Sequence, residues 1–247
     1  MFEIKSGVTK RNTIILIYSN PGVGKSRLAS QAQKPLFADF ERGTDFLNVD
    51  RIKPGSYTDA LKLIKWFLEQ PHTTLVIDSI SALERMTVEH TKKELGVSSL
   101  EDLGFGKGYA AMRANMQRLL NGFEWLRDNG KNIVIIGHAK VKTVTDPTAE
   151  AYDRVEFDLD KNMIPVLTSI CDGCFYLRPI VRVAEKDGNK KALANGNREI
   201  IMSDKGGAIS KSRFSHMPQT YEFTYENDET KLNEQYRKFW ETLNDNV

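Results

Sequence analysis

The sequence predicts an α/β fold of three layers, with a mostly parallel central sheet and added antiparallel strands. In the first half, short runs rich in Ile, Val and Leu alternate with longer segments of helical periodicity, which is typical of βαβ units. A glycine-rich turn follows the first of these runs. In the second half, strand-like segments follow one another with turn signals between them, which favours antiparallel strands.

The parallel strands are expected where the apolar runs lie, at residues 13–18, 35–39, 74–78 and 131–137. Helices are expected at residues 25–33, 57–70, 79–95 and 109–128. Runs of this kind suit strands that are covered on both faces. After His138, a polar stretch extends to about residue 162 and precedes a short helix.

The antiparallel strands are expected at residues 174–177, 181–184 and 198–202, with turns at Asp187-Gly188 and Asn195-Gly196. A terminal helix is expected over residues 232–243, because Tyr236 and Trp240 lie on one apolar side, and it is expected to pack on the core. The chain therefore divides into one domain over residues 1–220 and a C-terminal helical extension over residues 221–247.

The composition is that of a soluble globular protein, with 40% hydrophobic and 28% charged residues in a chain of 247. Lys and Arg number 35 against 33 Asp and Glu, so net charge does not indicate a polyanionic partner. No apolar run approaches the roughly 18 residues of a membrane-spanning helix, and no secretory signal is visible. We therefore expect a cytoplasmic protein without a membrane partner.

Cys171 and Cys174 form a C-x-x-C pair. Zinc normally takes four ligands, and the sequence has no second pair of this kind. We expect both thiols to be small apolar side chains near a buried strand, and the sequence leaves open whether the pair has any further role.

A phosphate-binding loop is predicted at residues 19–26, S-N-P-G-V-G-K-S, which match G-x-x-x-x-G-K-[ST] except for Ser19 in place of the first glycine. Gly22 and Gly24 allow successive backbone N–H groups to converge on phosphate oxygens at a helix N-terminus. Lys25 supplies a mobile positive charge, and the Ser26 hydroxyl is a Mg²⁺ ligand. The residues predicted to bind Mg-ATP are Asn20, Pro21, Gly22, Val23, Gly24, Lys25, Ser26 and Arg27.

Asp78 ends the apolar run at residues 74–78 and is predicted to hold the Mg²⁺ hydration shell beside Ser26. An aspartate that only caps the next helix is the alternative for this position. The phosphate-binding loop upstream favours the metal role.

Four further segments resemble RecA-like ATPases. They are L-F-A-D-F-E-R-G at residues 36–43, L-V-I-D-S-I-S-A-L at residues 75–83, the strand that ends at His138, and the K-x-R element at residues 211–213. The resemblance implies that Glu41 is the general base and that His138 is a γ-phosphate sensor. It also implies that Lys211 and Arg213 reach the nucleotide of a neighbouring subunit, so that catalysis needs a homo-oligomer. From the residues alone, His138 can also be a histidine with satisfied hydrogen bonds at a strand end. Lys211 and Arg213 can likewise be two exposed basic residues near a loop.

Together with G-F-G-K-G-Y at residues 104–109, these segments are similar to small bacteriophage RecA-like P-loop ATPases, the phage nucleotide-binding and single-strand-annealing recombination proteins. The likeness covers roughly residues 10–220. It implies ATP hydrolysis that single-stranded DNA stimulates, in recombination or replication of phage DNA in the host cytoplasm. A single-strand-binding or annealing protein is a further partner it implies.

Two loops are candidates for contact with single-stranded DNA. The loop at residues 96–108 contains Lys107 beside aromatic rings, and the loop at residues 139–165 contains Lys140, Lys142 and Arg154. Cations and stacking rings together are what sequence-tolerant single-strand binding requires. Acidic residues dilute the charge of the second loop, so a solvated surface loop is the alternative.

The sequence leaves the activity on DNA open between annealing, strand exchange and the loading of another protein. Rings, short assemblies and partner-assisted filaments are also open. Two other classes use the same loop: a small-molecule kinase, and a non-catalytic ATP switch that loads a helicase or annealing partner.

Overall fold

The computed structural model describes residues 6–7, 11–145, 150–186 and 189–245, so the turn expected at Asp187-Gly188 lies outside the described residues. The strands are β1 (Ile14–Ser19), β2 (Pro35–Asp39), β3 (Asp50–Ile52), β4 (Thr74–Asp78), β5 (Asn132–Val144), β6 (Tyr152–Phe157), β7 (Gly173–Lys186), β8 (Asn189–Ile201), β9 (Lys211–Ser212) and β10 (Thr220–Phe223). The helices are α1 (Lys25–Ala29), α2 (Tyr57–Phe67), α3 (Ile80–Leu95), α4 (Lys107–Asp128), α5 (Met163–Ile170) and α6 (Glu229–Asn244), and a 3₁₀ turn spans Leu100–Leu103.

The strands form one sheet in the order β10-β8-β7-β1-β5-β4-β2-β3. The six strands from β7 to β3 are parallel, whereas β8 and β10 add antiparallel pairs at one side. β6 pairs with the far half of β5, and β9 pairs with the start of β7, both antiparallel. The predicted α/β class, with its parallel centre and antiparallel additions, is confirmed.

Helices cover both faces of the sheet and make the three layers. Side chains of α2, α3, α4 and α5 pack on one face, around Leu16, Ile77 and Ile135. Side chains of α1 and α6 pack on the other face, around Ile17, Val76 and Ile136. Because alternate residues of a strand point to opposite faces, both sides of the central strands must be apolar, as their sequences are.

Helix α6 lies where the sequence places it, and its aromatic side joins the core through Tyr236, Phe239 and Trp240. The expected division at residue 220 falls at the start of β10, whose residue Phe223 is buried in the same cluster. None of the helices in the described residues is long and apolar enough to cross a membrane.

The stretch after His138 differs from the expected polar loop. β5 continues to Val144 and pairs with β6, so that Lys142 lies opposite Arg154 in a hairpin. Alternating apolar and charged residues, with Val141 exposed at the surface, gave this hairpin a polar appearance in the sequence. Its pairs join residues 8 to 18 positions apart, and no local signal specifies their register.

Cys171 and Cys174 are free and fully buried, as expected. Cys171 follows α5 and Cys174 lies within β7, so the pair does not open a helix. Burial, with a hydrogen bond to Cys174, raises the pKa of the Cys171 thiol. The described residues contain no cluster of three or more His, Cys, Asp or Glu that could hold a metal ion.

Candidate nucleotide-binding site

Four neighbouring parallel strands, β1, β5, β4 and β2, bring four of the predicted catalytic residues to the edge of the sheet where β1, β4 and β2 end, namely Lys25, Glu41, Asp78 and His138. In the register, Ser19 at the end of β1 lies opposite His138, and Asp39 at the end of β2 lies opposite Asp78. Crevices at this edge are where open α/β sheets bind ligands. The predicted loop, metal ligand, base and sensor therefore face one another.

The phosphate-binding loop joins β1 to α1. Gly24 is the residue before the helix and has φ 107° and ψ 23°, a left-handed conformation that favours glycine. The ammonium group of Lys25 is buried and donates to the carbonyls of Ser19 and Asn20 and to the Ser19 hydroxyl, each at 3.1 Å. Burial lowers the pKa of Lys25, and the charges of Asp78 and Glu41 act in the opposite direction. Lys25 thus points into the loop.

Ser26 and Asp78 supply the oxygens expected for a metal ion. The Ser26 hydroxyl donates to Asp78 Oδ2 at 2.6 Å. Burial raises the pKa of Asp78, although the hydrogen bond from Ser26 acts against it. A hydroxyl and one carboxylate fit Mg²⁺, which prefers oxygen ligands and commonly takes one or two carboxylates together with phosphates and waters. A cation here would also offset the cost of the buried carboxylate.

Glu41 is the centre of a hydrogen-bonded cluster beside the loop. Its Oε1 accepts from Ser79 Oγ at 2.6 Å, from His138 Nε2 at 2.9 Å and from Arg85 Nη2 at 3.3 Å, while Oε2 lies 3.0 Å from His138 Nε2. Burial acts to raise the pKa of Glu41, but these hydrogen bonds and the charges of His138 and Arg85 outweigh it and leave the pKa below its ordinary value. Glu41 is therefore ionised at neutral pH.

The loop that carries Glu41 is fixed by Asp39. This buried carboxylate accepts from the backbone N–H groups of Gly43 and Thr44, at 3.1 and 3.2 Å, and from the Thr44 hydroxyl at 2.6 Å. Phe40 N donates to Asp78 O at 2.7 Å and ties the same loop to β4. Glu41 is thus held on a tight turn rather than on a free loop.

Lys211 and Arg213 lie away from this cluster, at the amino ends of the parallel strands. Lys211 pairs with Cys174 near the start of β7, and its ammonium group donates to Thr168 O at 2.7 Å. Arg213 Nη1 contacts the buried carboxylate of Asp172 at 2.9 Å. Both residues are bound within their own chain, and contact with a neighbouring subunit stays a prediction.

A cleft of about 580 Å³ lies between the β5–β6 hairpin and α5. Four cations line it, namely Lys142, Arg154, Lys161 and Lys211, against two acids, Glu156 and Asp204. Its floor includes Ile164, Pro165 and Ile209. Glu156 is 2% exposed, and its Oε1 has no hydrogen-bond partner among the described residues. The cleft therefore combines excess positive charge with an apolar floor.

The other DNA candidates differ in their availability. Lys140 donates to Leu159 O at 2.9 Å and lies 3.4 Å from Asp158, so it is engaged within the chain. Lys107 is exposed at the first position of α4. Before it, Phe105 is fully exposed and has φ 47°, which is unusual for a bulky residue. Phe105 therefore presents an exposed ring near an exposed cation.

Several residues of the site were not predicted from the sequence. Ser79 and Arg85 hold Glu41, and Asp39 holds its loop. A serine directly after the metal-side aspartate was a visible signal for Ser79, whereas Arg85 lies one and a half turns into α3 with no motif around it. Arg198, on β8, lies beside Gly24 and carried no local signal.

Comparisons with known proteins give a family and a structural neighbour. A family model described as an AAA domain matches residues 11–214. No curated protein matches the chain significantly. Among solved structures, it is similar to the KaiC-like protein PH0186 from the hyperthermophilic archaeon Pyrococcus horikoshii OT3, at 14% identity over 87% of this chain and 86% of that chain, with a TM-score of 0.44.

Proposed function

The chain belongs to the AAA domain family, and on that premise we propose that it binds and hydrolyses Mg-ATP and that the nucleotide controls its action on single-stranded DNA. The observation that carries the first part is the convergence of Lys25, Ser26, Asp78 and Glu41 at one sheet edge. As the resemblance to phage recombination proteins implies, we place this activity in recombination or replication of phage DNA. Annealing, strand exchange and loading of another protein are the forms it can take.

Each residue of the cluster has a distinct part in hydrolysis. Backbone N–H groups of the loop before α1 and the Lys25 ammonium group, which lies within the loop, bind the phosphates. Ser26 and Asp78 would hold Mg²⁺, which neutralises charge on the β and γ phosphates when bound. The ionised Glu41 orients the attacking water and accepts its proton. His138, hydrogen-bonded to Glu41, links the γ-phosphate position to that base.

Steady-state phosphate release tests the hydrolysis. Lys25→Ala is expected to abolish turnover, because it removes the cation of the loop. Glu41→Gln is expected to retain ATP binding and to lower kcat by about 10²- to 10⁴-fold, the usual contribution of a general base. Lys62→Ala and Glu150→Gln change exposed residues outside the site and serve as matched controls. A Glu41→Gln enzyme with the wild-type rate would overturn the assignment of the base.

The basic cleft supports the DNA part of the proposal. Its cations suit phosphates, and its apolar floor suits a base that is free of a duplex. Lys142 and Arg154 lie opposite each other in the hairpin, where two like charges repel one another. A phosphate bound between the strands would reduce this repulsion. Glu156 is 3.9 Å from Lys142 and 4.0 Å from Arg154, too far for hydrogen bonds, so both cations keep capacity for phosphate oxygens.

Fluorescence anisotropy with a labelled oligothymidylate, titrated with salt, tests the cleft. The double variant Lys142→Ala/Lys161→Ala is expected to weaken binding and to reduce the salt slope by about 0.7 for each lost phosphate contact. Lys107→Ala and Lys140→Ala are expected to weaken it as well. Lys62→Ala/Lys65→Ala, on the exposed side of α2, removes equal charge as the control. Equal affinities for the cleft and control variants would contradict a DNA role for the cleft.

Hydrolysis with and without single-stranded DNA, paired with mass measurement of the complex, separates the remaining possibilities. We expect DNA to stimulate phosphate release and the protein to form a homo-oligomer, in which Lys211 and Arg213 reach a neighbouring nucleotide. Phosphate transferred to an added nucleoside would instead indicate a small-molecule kinase. Tight ATP binding with turnover near zero would indicate a switch that loads a helicase or annealing protein.

A further inference from the structure

Strand register brings Arg198 of β8 to the phosphate-binding loop. Tyr18 of β1 lies beside Tyr176 of β7, which pairs with Ile201, and three residues further along β7 Pro179 pairs with Arg198. Arg198 therefore lies beyond the carboxyl end of β1, level with the loop. It points to the face that α1 and α6 cover, because Ile200, two residues along the same strand, is buried in that cluster.

The guanidinium group of Arg198 lies against the backbone of Gly24. A side chain built on Gly24 would place its Cβ 3.0 Å from Arg198 Nη1 and 3.6 Å from Arg198 Cζ. Together with the left-handed φ of Gly24, this contact restricts the position to glycine. The loop thus has a second cation at its side, in addition to Lys25.

Arg198 is held in place from the C-terminal helix. Its Nη1 donates to the hydroxyl of Tyr236 at 2.8 Å, and Tyr236 is fully buried. Helix α6 is in turn fastened to α1, because the Trp240 indole N–H donates to Leu28 O at 2.7 Å. A rigid phenol therefore fixes the position of a planar group that carries four further donors.

The charge of Arg198 is not neutralised by a carboxylate within the part of the chain whose contacts are described. The neighbouring acid Glu199 pairs with Arg178 instead, at 2.8 Å, and Glu229 of α6 pairs with Arg27, at 3.0 Å. Opposite Arg198 in the sheet lie Phe223 and Pro179, which are apolar. A phosphate in the loop would balance the charge of this partly buried guanidinium group, because hydrogen bonds between arginine and phosphate are charge-assisted and strong.

We infer that Arg198 binds a phosphate of the nucleotide held in the loop and that Tyr236 positions it, so that the C-terminal helix completes the nucleotide site. This inference rests on the proposed nucleotide binding and adds the residues that select for the polyphosphate. Arg198 is the phosphate-contacting residue, and Tyr236 acts only through it.

Calorimetric titration of the full chain with ATP, ADP, pyrophosphate and adenosine, all with Mg²⁺, tests the inference. Arg198→Met keeps the length and the apolar stem, and it is expected to weaken ATP, ADP and pyrophosphate by about 10- to 100-fold. Adenosine binding is expected to stay at the wild-type level. Arg178→Ala, a partly exposed arginine on the neighbouring strand, is the matched control. Arg198→Lys, which keeps the charge, is expected to restore part of the loss.

Tyr236→Phe separates positioning from contact. It is expected to raise KM for ATP several-fold with kcat close to wild type, since the guanidinium stays but is less well held. Urea unfolding shows whether each variant is folded. If Arg198→Met is not folded, the affinity of Arg198→Lys for ATP and pyrophosphate is compared with that of the wild-type protein instead. Wild-type affinity for ATP and pyrophosphate in folded Arg198→Met would overturn the inference alone, and absence of ATP binding in the wild-type protein would overturn the proposed function itself.

Discussion

Replacement of Trp240 by alanine probes how strongly the C-terminal helix is bound to the nucleotide site. Trp240 is 5% exposed, and its indole N–H donates to Leu28 O in the helix that starts at Lys25. A buried tryptophan removes about 150–250 Å² from water, which corresponds to about 4–6 kcal/mol as an upper estimate. Core Trp→Ala changes cost about 3–5 kcal/mol, and the Leu28 carbonyl also loses its partner. We expect a loss of about 3–5 kcal/mol in the free energy of unfolding.

Urea unfolding followed by far-ultraviolet circular dichroism measures this loss without relying on tryptophan fluorescence. Trp66→Ala is the matched control, because Trp66 also lies on a helix but is 44% exposed. Its expected cost is about 2–3 kcal/mol, in proportion to the smaller buried area. Trp240→Phe keeps most of the packing and is expected to lose about 1 kcal/mol with the hydrogen bond. Equal losses in Trp240→Ala and Trp66→Ala would show that α6 is not a tightly packed part of the core.

Three further predictions concern Glu84, Asp172 and Phe105. Burial and nearby acids raise the pKa of Glu84 from 4.5 to about 7, so the folded state binds this proton more tightly than the unfolded state. The free energy of unfolding should therefore fall by up to about 3 kcal/mol as the pH rises from 4.5 to 7. Unfolding at pH 5 and pH 8 measures this fall, which Glu84→Gln should remove. Asp172→Asn should lower the free energy of unfolding in urea by about 3 kcal/mol, because the buried carboxylate accepts hydrogen bonds from Arg11, Arg213 and Ile14 N. An unchanged midpoint would show that this cluster does not contribute to stability. Phe105→Ala should weaken oligothymidylate binding without changing the unfolding midpoint, and a lowered midpoint would assign the exposed ring to the fold instead.

The parallel half of the fold could be predicted from the sequence because its signals are local. Strands buried on both faces are continuous apolar runs, and the bounds of β2 and β4 agree with those runs residue for residue. The glycine-rich turn also fixes where α1 begins, at Lys25. The short strand β3 has no apolar run, since Asp50 and Arg51 are two of its three residues. It lies at the edge of the sheet, where β2 alone pairs with it among the described strands.

The contacts that complete the site depend on pairing between distant segments. Glu41 and His138 were predicted separately, and their hydrogen bond follows from the order in which β2, β4 and β5 lie in the sheet. Arg198 lies beside Gly24 although more than 170 residues separate them in the sequence. Their contact depends on the order of β8, β7 and β1 in the sheet, which no local pattern in the sequence predicts. Sequence periodicity determines which face of a strand is buried, but it does not determine which strand is its neighbour.

Equilibrium titration of the purified protein with ATP and Mg²⁺, next to Lys25→Ala, determines whether the loop at residues 19–26 binds a nucleotide. We expect one ATP for each chain in the wild-type protein and an affinity at least about 10- to 100-fold lower in the variant, because a charged partner of the phosphates is lost. Failure of the wild-type protein to take up ATP at millimolar Mg²⁺, or equal affinity in the folded variant, would contradict it.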